Sequence, residues 1–315
     1  MKRKAMMAIV GGLIFCLTVP SLAKMSAQEV INRMRQAYEQ QMSEIDDLTM
    51  VTQGTGGVMA MMGESITYQK RAKIAGKTVY KTRTEVQFMG KPLVTIFDGV
   101  YEWSVDPVTG KVKKEKRDYT PDWTRIWEVL DLSKMHYAGT EELEGEKTHV
   151  LKMDDLTEGI MKLSPKLPQA GPSQEREWSG WAKMWINAEN WVFMRMLMVA
   201  TGISEEGEEM TNRITWNLED YRQVKTILIP HKVTYKIDVE MPDATPEEKE
   251  MMQAMMGAFM EGEMIVTKVE VNTGLSDELF DGSKLKPGEP MFKMPQMPSL
   301  PEGVELPPGT EIPQE

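Results

Sequence analysis

Cysteine is almost missing from this chain. One cysteine, Cys16, stands among 315 residues, and it lies in the apolar stretch near the start. Disulfides therefore hold nothing together downstream, and the fold must rest on a buried core, which a chain of this length can build. Histidine is nearly as scarce. His136, His149 and His231 stand far apart, so no metal or catalytic spacing is visible in sequence. No nucleophile elbow, zinc-protease motif or phosphate loop occurs. Gly54, Gly56 and Gly57 precede no helix of the kind that cradles phosphate and read as a flexible loop. No catalytic residue, metal or cofactor is expected.

Positive charge is short as well. Residues 1–23 read as a cleavable secretory signal: Lys2, Arg3 and Lys4 start it, an apolar run reaches Val19, and Ser21-Leu22-Ala23 offers the cleavage site. The run falls short of the roughly 20 residues that span a membrane, though an uncleaved anchor is the alternative. Ile14 and Phe15 are too bulky to precede a lipidated Cys16, so no lipid anchor is expected. Removing those three cations leaves 34 Lys and Arg against 48 Asp and Glu, a net charge of −14. Such a balance speaks against nucleic acid and against electrostatic attachment to anionic lipid. Any lipid contact is expected to be apolar.

What the chain has is periodicity. Ser26 and Glu29 form a capping box, and Val30, Met34, Tyr38, Met42, Ile45 and Leu48 follow at steps of three and four. That spacing predicts an amphipathic helix over residues 27–46. The period then changes to two. Tyr80, Thr82, Thr84, Val86 and Phe88 share one face, and Val233, Tyr235, Ile237, Val239 and Met241 share another. This alternation predicts antiparallel strands with one dry and one wet side, separated by turn signals such as Asp106-Pro107-Val108-Thr109-Gly110. Two further helices are predicted: one opens at Thr120-Pro121-Asp122, with Trp123, Ile126, Trp127 and Leu130 as its stripe, and the other opens at Thr245. Residues 287–315 read as a proline-rich disordered tail.

It also has soft apolar side chains in excess: 29 Met and 8 Trp, with Trp178, Trp181, Trp185 and Trp191 close together. The stretch 191–200 is apolar on both faces, by parity Trp191, Phe193, Leu197 and Val199 against Val192, Met194, Met196, Met198 and Ala200. Methionine repacks readily around irregular apolar partners. The helix near 245–262 carries Met251, Met252, Met255, Met256, Phe259 and Met260, and a second Met-rich loop spans 58–62. Two readings stand: the pair gates a lipid-sized cavity, or the methionines simply pack. Met291, Met294 and Met297 would align on a polyproline II helix, a pattern that also suits Cu(I).

Several phrases resemble the periplasmic lipoprotein carriers of the LolA/LolB-like superfamily. They are Phe97-Asp98-Gly99-Val100-Tyr101-Glu102-Trp103 through Asp106-Pro107, Met184-Trp185-Ile186-Asn187 through Trp191 with Arg195, and Val269-Glu270-Val271-Asn272 through Leu279-Phe280. The resemblance implies a mainly β fold with helices (α+β), a strongly curved, unclosed antiparallel β-barrel with helices plugging its concave face. It implies one such domain over 24–286, acyl-chain cargo and no catalysis. Arg71 and Arg83 are the candidates for the simple carrier's lid-controlling arginine. The chain departs from that carrier in its length, its Met-rich helix and its tail.

The expected ligand lining is Trp103, Trp123, Trp127, Met194, Met196, Met198 and Trp216, with Met255, Met256 and Phe259 at the mouth. Expected partners are lipoprotein acyl chains or another lipid, with an inner-membrane transporter or outer-membrane receptor; nucleic acid is not expected. The rival expectation is a periplasmic adaptor that docks a membrane transport complex through its Met- and Trp-rich surface and carries nothing.

Overall fold

A computed structural model describes residues 25–88, 90–117, 127, 131–155, 179–203, 209–242, 245–247, 250, 257 and 260–289. The opening helix α1 spans Ala27–Gln41 and runs on as a 3-10 turn to Glu44. Ser26 caps it, its hydroxyl accepting from the Glu29 amide at 3.1 Å. Only half of the capping box forms between these two residues, because the Glu29 carboxylate accepts from Arg33 at 2.7 Å. Ala27, Val30, Ile31, Met34 and Tyr38 are buried, as the stripe predicts.

The strands follow as β1 (Asp47–Thr55), β2 (Glu64–Ile74), β3 (Lys77–Phe88), β4 (Lys91–Phe97), β5 (Tyr101–Val105) and β6 (Val112–Lys116). Then come β7 (Met135–Leu143), β8 (Glu146–Met153), β9 (Ser179–Asn187), β10 (Phe193–Ile203), β11 (Glu209–Val224), β12 (Ile227–Glu240) and β13 (Glu261–Val271). Among the described residues they form one antiparallel sheet, ordered β6-β5-β4-β3-β2-β1-β13-β12-β11-β10-β9-β8-β7. Hairpins account for most neighbours. The long-range step is β1 beside β13, with Leu48 opposite Val271 and Met50 opposite Val269. The two ends, β6 and β7, do not pair with each other.

Helix α1 bends this sheet. It packs directly on β7, and its Tyr38 ring meets Tyr80 of β3 edge-on at 6.3 Å. Those strands are nine places apart in the sheet, about 43 Å if it were flat at ~4.8 Å per strand. The helix is only about 22 Å long at 1.5 Å per residue. A flat sheet cannot bring both strands to it, so the sheet curves towards α1. The face under the helix is called inner below.

The outer face is strapped by the chain after β13. Asp47 collects this strap: its carboxylate accepts from the Thr273 amide (2.7 Å), the Thr273 hydroxyl (3.0 Å), the Gly274 amide (2.9 Å) and the Leu275 amide (3.2 Å). Asp277 then meets Lys81 at 3.0 Å and Lys70 at 3.3 Å, and Phe280 is fully buried. Gly282 ends the run flat against Trp103, where a Cβ would overlap the indole ring.

The Met-rich segment 58–62, expected as a loop, is part of a short helix, α2 (Gly57–Met62). The Gly54 amide donates to the Gly63 carbonyl at 2.9 Å, closing the excursion, and Gly262 lets the Gly56 backbone approach β13 where a Cβ would come within 2.6 Å of its carbonyl oxygen. Strand β13 begins at Glu261, so a helical insertion near 245–262 stops short of that strand. No helix among the described residues is long and apolar enough to cross a membrane.

Burial pushes the Asp47 carboxyl up, and its four hydrogen bonds outweigh that and hold it below the ordinary carboxylate value. A depressed carboxyl stabilises the fold above its ordinary value near 3.8 and loses that contribution as pH falls through the folded value. Asp47→Asn is expected to cost about 2 kcal/mol at neutral pH, the scale of hydrogen bonds to a charged acceptor. Urea titrations at pH 7 and below pH 3 check this, and the difference from wild type should shrink at the lower pH.

Candidate ligand-binding face

The inner face is built by strand parity and divides into two halves. Across β8 to β12 it is apolar. Leu151 and Met153 (β8), Ala182, Met184 and Ile186 (β9), Phe193, Met196 and Met198 (β10) and Leu218 (β11) form one buried cluster with α1. Trp127, Trp216, Ile214 and Val233 are half-buried beside it. In register, Met198 faces Ile214, Met196 faces Trp216, and Trp216 faces Tyr235, whose ring lies 5.4 Å from it. A second buried cluster, including Tyr38, Met42, Leu48, Tyr80, Ile227 and Ile229, continues the apolar surface under the C-terminal end of α1. Trp127 packs against both clusters, and Tyr38 meets it at 5.5 Å.

Across β2 to β5 the same face is hydroxylic. Thr67 pairs with Thr84, Thr84 with Thr95, and Thr95 with Ser104, one row crossing four strands. Met50 of β1 pairs with Thr67 and joins the row to the apolar half. These four residues are half-buried, while Ser65, Gln69 and Thr82 beside them are buried. Threonine favours strands, so the row also has a purely structural role. Charge is kept to the edges: Arg117 meets Glu102 at 2.6 Å, and Arg71 donates to the Ser43 carbonyl at 2.8 Å and to Asp46 at 2.5 Å.

The candidate residues separate accordingly. Met196, Met198 and Trp216 share the inner face, and Trp127 packs against it. Met196 and Met198 lie in the buried cluster, so they belong to the core beneath the helix, whereas Trp216 keeps some exposure. Trp103 lies on the outer face, its Nε1 donating to Asp98 at 2.8 Å and its ring covered by Gly282. Met194 is also on the outer side, packed with Leu143, Val150, Trp185 and Leu197. The reason is a bulge between Phe193 and Arg195, which reverses parity and puts Phe193 with Met196 rather than with Leu197. Trp123, Met255, Met256 and Phe259 lie outside the described residues. Ile214 and most of the Thr67–Ser104 row were not singled out from sequence; Val233 already shared a predicted dry face with Tyr235, as Thr82 and Thr84 did with Tyr80, and strand order supplied the rest.

Helix α1 is fastened to this face by an aromatic stack. His149 of β8 stacks on Trp191 at 4.8 Å and 15°, and the Arg33 guanidinium of α1 lies 5.1 Å from the same indole. The Tyr137 hydroxyl and His149 Nδ1 are 3.1 Å apart. Trp191 holds this position with a φ of +62°, a backbone region that a bulky residue rarely occupies. The other histidines have partners elsewhere: His136 sits 3.3 Å from Asp154, and His231 Nδ1 lies 3.1 Å from the Ile229 carbonyl.

No family model matches the sequence, and no curated protein matches it. Among solved structures, the chain is similar to a domain provisionally named an outer membrane lipoprotein-sorting protein from Vibrio parahaemolyticus, at 12% identity and a TM-score of 0.45, covering 81% of this chain and 96% of that one. It is similar to a DUF1329 family protein from Desulfovibrio piger, at 14% identity and a TM-score of 0.43, covering 82% and 97%. Lipoprotein LppX of Mycobacterium tuberculosis follows at 8% identity and a TM-score of 0.28, covering 79% and 98%.

Burial holds the His149 imidazole below its ordinary value near 6.5, with Lys147 and Arg33 adding repulsion. The unfolded chain therefore takes up the proton first, and stability is lost as pH falls from about 6.5 towards the folded value. His149→Phe keeps a stacking ring and removes this titration. Melting curves between pH 8 and pH 5 should fall for wild type and flatten for the variant.

Proposed function

We propose that this protein is an exported, non-enzymatic carrier that shields acyl chains on its curved inner face for transfer between inner and outer membranes. The observation that supports it most is the inner face itself: a Met- and Trp-lined apolar surface, drawn round α1, that continues without a break into a hydroxyl row. In this reading α1 plugs the concave side, Trp216, Ile214 and Val233 hold the alkyl chain, and the uncharged part of the head rests against Thr67, Thr84 and Thr95. Trp123 would add to the lining, while Met255, Met256 and Phe259 would gate the mouth. Burying an alkyl chain contributes roughly 0.8 kcal/mol per CH₂, so a palmitoyl-length chain supplies on the order of 10 kcal/mol before ordering costs. Binding needs no ionic contact, and release would then be driven by an inner-membrane transporter or an outer-membrane receptor. The reading includes removal of residues 1–23, a single domain over 24–286, a proline-rich tail after it and a periplasmic location.

One observation favours the second reading, a carrier of nothing that docks a protein complex. Met194 and Leu197 are half-buried on the outer face over Leu143, Val150 and Trp185, a second apolar patch away from α1.

Fluorescence titration with a C16 fatty-acid analogue separates the two. Wild type should bind it saturably. Ile214→Glu, and Met255→Glu with Met256→Glu, should each weaken it at least tenfold with circular dichroism unchanged, because a carboxylate set against an alkyl chain must be desolvated. Met194→Glu should leave it alone. Undiminished binding in both Ile214→Glu and the Met255, Met256 double variant would remove the lining and gate proposed here, and loss of binding in Met194→Glu alone would favour the outer patch.

A further inference from the structure

The chain is acidic overall, yet one corner of it is not. Strand β6 is the last strand at one end of the sheet. Residues 111–117 (Lys-Val-Lys-Lys-Glu-Lys-Arg) carry five cations and one anion. Elsewhere the lysines are mostly neutralised at short range, as in Lys134–Asp155 (3.0 Å), Lys152–Asp154 (2.8 Å), Lys183–Glu141 (2.7 Å) and Lys268–Glu270 (3.0 Å). Lys111, Lys114 and Lys116 are exposed and meet no carboxylate among the described residues.

Neighbouring turns close on this corner. Ile74, beside Lys73 in the β2–β3 hairpin, packs against Gly99, and the adjacent Val100 carbonyl accepts from the Arg117 amide at 3.1 Å. The corner is also aromatic. Lys114 Nζ lies 4.0 Å from the Tyr101 ring and 4.4 Å from the Trp103 ring. Lysines on an edge strand deter edge-to-edge pairing, and that role alone accounts for some of them. It does not account for the Tyr101 and Trp103 rings set beside the Lys114 ammonium, an arrangement suited to a membrane–water interface.

We propose that this corner docks the protein on an anionic lipid surface. Lysines near such a surface are attracted to it within a Debye length of about 8 Å at physiological salt. The inference deepens the carrier reading, because β6 borders the gap between the two unpaired ends of the sheet, so docking along this edge would bring that gap near the bilayer even though Lys114 and Lys116 stand on the outer, Trp103 side. It also narrows the expectation from overall charge: anionic lipid is met locally, whatever the net charge.

Vesicle co-sedimentation of the chain from residue 24 tests it. Wild type should bind vesicles of phosphatidylcholine with about one-third phosphatidylglycerol, bind pure phosphatidylcholine at least tenfold less, and dissociate in high salt. Lys111→Gln with Lys114→Gln and Lys116→Gln should weaken anionic binding at least tenfold, while Lys147→Gln with Lys225→Gln and Lys268→Gln, the same change in charge, should not. Equal losses in the two triple variants, or no wild-type binding, would overturn the proposal. So would a corner variant that self-associates yet still binds vesicles fully, which would leave edge protection as the lysines' role. Uptake of the C16 analogue in vesicle-free solution should be the same in wild type and the corner variant. Vesicle binding without any uptake would defeat the carrier reading and leave the docking corner standing.

Discussion

The burial of one helical stripe governs this molecule. Val30, Ile31, Met34 and Tyr38 must leave water, and the surface they find is a sheet wide enough to bend round them. Because α1 touches β3 at one end and β7 at the other, the sheet between them must curve towards it, while β6 and β7 do not pair with each other. An inner face of limited width, part core and part half-exposed lining, follows from that constraint. The stack of Arg33, Trp191 and His149 fixes the N-terminal half of the helix, and Tyr38 between Tyr80 and Trp127 fixes the other.

In the carrier reading proposed above, the inner face must be greasy without collapsing on itself, and its two halves differ in how they would do so. Beneath α1 the side chains are sealed and belong to stability. Beyond it, Trp216, Ile214 and Val233 keep some exposure, and the threonine row offers hydroxyls in place of more apolar area. On the outer face the strap anchored by Asp47 does the opposite work, covering β2, β3 and Trp103 with hydrogen bonds, ion pairs and the buried Phe280.

Much of the fold was legible in the sequence, for identifiable reasons. The spacing of Val30, Met34 and Tyr38 has a single helical solution, and the alternation at Tyr80–Val86 and Val233–Val239 has a single extended one. Asp106 in its turn hydrogen-bonds the Val108 and Thr109 amides at 2.9 and 2.8 Å, as Asp before a Pro-containing turn suggests. The lining was less legible, since parity is local and a bulge is not. One extra residue at Met194 moved it across the sheet, although Met196 and Met198 kept the expected side. Trp103 looked like lining because nothing in its neighbourhood reveals that Gly282, far along the chain, comes to cover it. The pairing of β1 with β13, which joins the hydroxyl half to the apolar half, likewise depends on contacts that no short window contains.

The central claim is that the inner face carries acyl chains. Native mass spectrometry of residues 24–315 after gentle purification, followed by organic extraction and lipid identification, tests it most directly. The account predicts a stoichiometric adduct that extraction removes and that proves to be acylated. A clean apo mass from repeated gentle preparations, with a protein partner retained in its place, would contradict it.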